Sequence, residues 1–202
     1  LKENTESLPQ IDVATIVADN GDVLNFTRSF PAPAINLSDR DYFQVQKATP
    51  NAGNFISKPV RNKGNGKWVF YISKRLNDRS GGFIGLVIVG ISVEGFNSFH
   101  GKVGVNFGKD ASISLYRRDF TLLTRWPAAE SLIGKVNNTG STYEIIENRR
   151  LSEGTDVFNL PRFGNAAQSV QRISSARVVD RHPFIIGITM TEDFYLANWQ
   201  KS

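Results

Sequence analysis

Residues 37 to 43, LSDRDYF, hold the densest chemistry in the chain: Asp39 and Asp41 flank Arg40, and Tyr42 and Phe43 follow at once. The guanidinium can grip a carboxylate through two parallel hydrogen bonds. The alternating aspartates are a weak acid–base pair, and an aspartate or serine at a helix start more often caps it, for about 1 kcal/mol. Catalysis needs a converging base, metal or nucleophile, and the rest of the sequence supplies none. Two histidines, His100 and His182, are too few for a histidine-rich metal site and lack HExxH spacing. His182, in RHP, reads as a turn residue, and His100 as a basic group at a helix end. GNGKW, residues 64 to 68, lacks most of a phosphate-loop pattern and falls between two strands, where a turn is expected. Ser80 and Ser141 stand beside glycines without the setting of a nucleophile elbow. There is no cysteine, which removes thiol chemistry and disulfides. No cofactor is implied, and an enzyme acting on an anionic substrate is a distant third choice.

The composition sets the frame for that motif. The chain has 202 residues, 40% hydrophobic and 21% charged, with 14 Phe, 5 Tyr and 3 Trp to build cores. That suits one large domain or two small ones. The formal charge is +5, which brings nucleic acid and anionic surfaces into consideration. The basic residues are scattered, so a solvated basic surface is expected and no nucleic-acid partner. The longest apolar run, FIGLVIVGI at 83–91, is far below the roughly 20 residues of a membrane helix. The abrupt opening LKENTESLPQ reads as the edge of an excised segment.

Two strand–turn–strand blocks lie about 99 residues apart. VATIVADNGDVLNF turns at Asn20-Gly21, where a type I′ hairpin is expected, and ASISLYRRDFTLLTRW repeats its plan. FYISKRLNDRSGGFIGLVIV and QRISSARVVDRHPFIIGITM share a second layout about 101 residues apart. In both, a strand with Ile-Ser leads through an Asp-Arg turn into an apolar strand. FIGLVIVGI predicts a central strand buried on both faces. Phe43 to Ala48 and Glu94 to Val103 predict short helices, the latter with Phe96, Phe99 and Val103 on one face. PAAESLIGK and YEIIENRRL look helical in the otherwise divergent stretch 128–166. The expectation is α+β: two tandem modules, each a twisted antiparallel sheet flanked by helices, divided as 1–107 and 108–202.

The order LSDRDYF, FISKPV, ISKRL, a Gly-Phe turn and GLVIVGIS resembles the extracytoplasmic double Cache sensor domains, built of tandem PAS-like (PDC) modules. In the second half, SISLYRRDFTLLTRWP stands in place of that family's Leu-x-x-Asp-Gly-x-Leu pattern. The resemblance implies the periplasmic or extracellular part of an inner-membrane receptor, with a histidine kinase or a diguanylate cyclase/phosphodiesterase as output. It implies that LKENTESL ends an incoming helix, that FYLANWQKS begins the outgoing one, and that the receptor is a homodimer. The segment itself would be no enzyme.

The resemblance also places a ligand in the first, membrane-distal module. Arg40-Asp41-Tyr42-Phe43 matches the Arg-x-Trp-Tyr element of amino-acid-binding members, whose arginine meets the ligand carboxylate. Their ammonium-binding aspartate falls at Gly90 and a further tyrosine at Val60. The carboxylate anchor is therefore kept and the ammonium anchor lost. An uncompensated ammonium is costly to bury, so a small carboxylate or other anion is expected, helped by Lys58, Arg61 or Lys74. Against this, Tyr42 and Phe43 suit packing of a helix on the sheet, and Asp39 or Ser38 suits a cap. Arg40 and Asp41 can pair with neighbours, and Lys58, Arg61, Lys74 and Arg75 suit exposed strands and turns. The alternative function is a ligandless module that senses a partner protein, its pocket filled by its own side chains.

Overall fold

The structure, a computed structural model, describes residues 8, 10–62, 66–108, 110–162 and 165–199. The expected incoming helix LKENTESL lies outside them, apart from Leu8. The chain forms two compact units, Leu1–Phe96 and Asn97–Ser202. The division between these units falls within the helix Val93–Gly104 that follows the first sheet.

Unit one begins with β1 (Ile11–Ala18) and β2 (Val23–Phe26), followed by α1 (Asp41–Ala48). The short β3 (Phe55–Ile56) and β4 (Val60–Arg61) and the long β5 (Trp68–Asn77) and β6 (Phe83–Ser92) complete it. The antiparallel order is β2-β1-β6-β5-β3, with β4 also paired to β5. β6 is central, as its apolar run predicts. It is not buried on both faces: Leu86 and Ile88 are in the core, whereas Val87 and Val89 are half-buried and Ile84 is exposed. α1 packs on one face only, and an antiparallel sheet tolerates a wetter second face. The core there joins Val17, Tyr42, Phe43, Leu86 and Ile88, with Leu37, Phe55, Tyr71 and Phe83 packed against them.

The β1–β2 turn differs from the expected type I′ form, which needs positive φ at both central residues. Only Gly21 has it, at 95°, and Asn20 does not. Gly21 N–H donates to the Ala18 carbonyl, and Ala18 N–H to that of Asp22. This is a three-residue loop closed by a left-handed glycine, and the β1–β2 register shifts beside it, between Ile16 and Val17.

Helix α2 (Val93–Gly104) carries the chain onward. Its expected apolar stripe is incomplete, since Phe99 is exposed while His100 is buried. Unit two contains β7 (Ser112–Arg117), β8 (Leu122–Trp126), the helical turns α3 (Ser141–Tyr143) and Glu144–Asn148, then β9 (Glu153–Arg162), β10 (Asn165–Val178), β11 (Phe184–Thr191) and α4 (Glu192–Trp199). Its order, β8-β7-β11-β10-β9, repeats that of unit one with β7 for β1, β8 for β2, β11 for β6 and β10 for β5. β5 ends at Asn77 and β10 at Val178, while β6 opens at Phe83 and β11 at Phe184, so the repeat read in the sequence is a repeat of the fold.

Candidate ligand-binding site

Strand alternation decides which side chains of unit one share a face. Register sets Val13 opposite Gly90, Thr15 opposite Ile88 and Val17 opposite Leu86, with Tyr71 opposite Gly90 from the other side. α1 covers the Val17–Leu86 end of this face. The Val13–Tyr71 end floors a cavity of about 710 Å³.

The opposite wall hangs on the hairpin turn. Asn36 Nδ2 donates to the Asn20 carbonyl at 3.0 Å and to Asp22 Oδ1 at 2.8 Å. Leu37 N–H reaches the Gly21 carbonyl at 2.8 Å. A Cβ on Gly21 would stand 2.7 Å from Ser38 N and Cβ, so the glycine admits the loop as well as the turn. The loop delivers the chain to α1, whose N-cap is Arg40, with no side-chain cap. The expected Ser38 or Asp39 cap is thus replaced: the Ser38 carbonyl accepts from Gln44 Nε2, and Arg40 N–H donates to the Leu37 carbonyl. Asp41 Oδ1 accepts the Tyr42 N–H at 2.7 Å. At the other end of α1, Arg75 Nη1 donates to the Gln46 and Lys47 carbonyls at 2.7 and 2.9 Å.

Arg40, Asp41, Tyr42, Lys58, Val60 and Arg61 all line this cavity. Phe43 does not. It is 1% exposed, meets Phe83 edge-on at 5.7 Å and belongs to the core, as its packing alternative foresaw. Lys74 is off the wall because it alternates with Ser73 and Arg75 and points out from the other face, exposed. Gly90 lies on the cavity face but is covered. A Cβ there would meet Val13 Cγ1 at 2.8 Å and Tyr71 Cε1 at 3.1 Å, so these two residues occupy the place of an aspartate side chain.

The reading from sequence missed Arg28, Phe26, Tyr71 and Ser57, which also line the cavity. Arg28 pairs with the Asp12 carboxylate and donates to the Asp12 carbonyl through Nε. Its side chain comes from beyond the short β2, and no motif marks it. Tyr42 and Tyr71 stand 5.4 Å apart as a tilted pair. Burial, first of all, pushes both phenols above their usual range, so both are neutral hydrogen-bonding groups. The charged lining comprises Arg28, Arg40, Lys58 and Arg61 against Asp39 and Asp41. Asp39 is largely exposed, 3.5 Å from Arg40 Nε. Arg61 lies over the Trp68 ring at 4.5 Å and donates to the Gly66 carbonyl. An apolar floor, two neutral phenols and an excess of cations suit an anion with a hydrocarbon part. Among the described residues no group of His, Asp and Glu could hold a metal ion.

Fold and cavity together define a class. The chain has the fold of the extracellular sensor domains of histidine kinases and chemoreceptors, the double Cache (PDC-like) architecture that its motif order resembles. The extracellular domain of rpHK1S-Z16, described as a histidine kinase, superposes with a TM-score of 0.77 at 28% identity over 98% of this chain and 78% of its own. That of mmHK1S-Z3, likewise described, gives 0.69 at 14% identity over 100% and 80%. The ligand-binding domain of the Campylobacter jejuni chemoreceptor Tlp3, solved with 4-methylisoleucine, gives 0.59 at 17% over 96% and 69%. No protein-family model matches the chain, and no curated protein matches it. No described helix is long and apolar enough to cross a membrane.

Proposed function

We propose that this segment is the periplasmic or extracellular sensor domain of an inner-membrane signalling protein, and that its first module binds a small carboxylate. The observation that carries the reading is the 710 Å³ cavity with Arg40 on its wall, where a ligandless module would be filled. Arg40 enters at the helix start, where its guanidinium can take a carboxylate in bidentate fashion. Lys58 adds positive potential, and Val13, Tyr71 and Ile88 receive an apolar tail. The closed-over Gly90 leaves no carboxylate at the family's ammonium position. The aspartates nearest the cavity are engaged in the protein or exposed: Asp12 with Arg28, Asp41 with the Tyr42 N–H, Asp39 toward solvent. A free α-amino acid is therefore disfavoured, although the chemoreceptor neighbour was solved with one.

The output is proposed to be a histidine kinase or a diguanylate cyclase/phosphodiesterase, acting as a homodimer, with modules 1–107 and 108–202 and the second leading to the membrane. The sensor domain itself is not catalytic. It signals because the ligand binds one signalling state more tightly than the other.

A thermal-shift screen over acetate, propionate, succinate and isoleucine tests this. At least one organic acid should raise the melting temperature, with isoleucine inert, because ligand binding to the folded state stabilises by mass action. Arg40→Ala should weaken that acid's affinity by roughly ten- to a hundredfold, the effect of losing a charge-assisted bidentate contact. Tight isoleucine binding with no response to any acid would overturn the ligand class.

A further inference from the structure

We propose that the second module carries its own binding site for a small oxyanion, at the position in the repeated fold where the first module has its cavity. A pocket of about 180 Å³ opens there, and it is smaller than the first. Its wall includes Ser114, Arg125, Ser141, Thr142, Arg172 and Thr189.

The correspondence follows from the repeat. At the offsets of about 99 and 101 residues, Thr15, Phe26, Tyr71 and Ile88 of the first wall map onto Ser114, Arg125, Arg172 and Thr189 of the second. The same strands therefore form both floors: Thr15 and Ser114 each bring a hydroxyl, while Phe26, Tyr71 and Ile88 give way to Arg125, Arg172 and Thr189. Among the described residues, every charged side chain on the second wall is an arginine. Arg172 is 3% exposed, and its Nη1 donates to the Asp110 carbonyl at 2.8 Å, which fixes the side chain. Arg125 faces Ser114 across β7–β8, and its Nη1 lies 3.3 Å from Ser114 Oγ. α3 closes the pocket from above. A Cβ on Gly187 would overlap Thr142 Oγ1, so the glycine lets this helical turn bring Ser141 and Thr142 down to the sheet.

Buried Arg172 and half-buried Arg125 share one small space; partial burial lowers the pKa of Arg125, and repulsion by the like charge of Arg172 adds to that. An oxyanion reverses that repulsion and accepts from the surrounding hydroxyls, which can each donate. The volume is below the roughly 300–1,000 Å³ of sites for drug-sized ligands, so the anion is a phosphate, a sulfate or a short carboxylate.

Calorimetric titration of the segment with phosphate, sulfate and acetate, at ionic strength held by sodium chloride, tests the site and separates tetrahedral from carboxylate ligands. Saturable binding of at least one is expected. It should survive Arg40→Ala, which lies in the first module, and fall at least about tenfold in Arg125→Gln and Arg172→Met. Circular dichroism checks folding; if Arg172→Met does not fold, Arg125→Gln decides. No saturable binding up to about 50 mM of any of the three anions overturns the proposal. So does binding that Arg40→Ala abolishes and Arg125→Gln leaves intact. Loss of the first-module ligand alone bears only on the first site.

Discussion

Arg40 depends on a residue that never touches the cavity. Gln46, three-quarters of the way along α1, is fully buried and uses both ends of its amide. Nε2 donates to the Gly53 and Ser73 carbonyls, each at 3.0 Å, and Oε1 accepts the Arg75 N–H at 3.0 Å. The side chain thereby fastens α1 to β5. Gln46→Leu keeps the volume and takes these partners from the half-buried Arg75 N–H, the buried Ser73 carbonyl and the Gly53 carbonyl, so it should cost about 1–3 kcal/mol. Urea unfolding should show this as a lower midpoint with unchanged slope. The Arg40-dependent ligand response should weaken with it, because the helix start is positioned from the helix body.

Among the helices, α2 makes a prediction about pH. His100 is buried within it, and burial lowers its pKa from the usual 6.5. In the range between the two values, the unfolded chain takes up a proton that the folded chain refuses. Stability linked to His100 is therefore intact above about pH 6.5 and declines as the pH falls toward the folded value. Melting temperatures from pH 7.5 to 5 should drop in the native protein, and His100→Phe should flatten the part of the drop below pH 6.5. An unchanged profile would mean that the imidazole titrates as in water. A helix-end imidazolium, the expectation from sequence, would give the opposite slope, since a cation favoured by the dipole is lost as pH rises.

For the molecule as a whole, the chain carries a formal +5, and both pockets gather arginines. Anion capture should therefore depend on salt. Raising sodium chloride from about 10 to 150 mM shortens the screening length from roughly 30 to 8 Å. The affinity of the best carboxylate should fall a few-fold over that range, measured by calorimetry. A salt-independent affinity would mean that apolar contact, not charge, dominates. The repeated architecture gives each module a sheet face roofed by a loop or a helical turn, and the two faces have opposite character. One fold thereby frames an apolar floor in the first module and a floor of hydroxyls and arginines in the second.

Much of this was legible in the residues. Apolar periodicity set the strands, the near-constant offsets between Ile-Ser and Asp-Arg blocks revealed the repeat, and LSDRDYF marked the helix start whose arginine lines the first cavity. Those signals are local, and local backbone preference and side-chain alternation suffice to read them. The structure alone decided what depends on register and on contacts between distant segments. Strand pairing set Gly90 between Val13 and Tyr71 and closed its site. Alternation along β5 sent Lys74 outward, and packing on Phe83 drew Phe43 into the core. Arg28, Arg125 and Arg172 carry no motif at all. They come to line pockets only because antiparallel pairing brings residues far apart in the chain to one face, and a single sequence does not record which strands will pair.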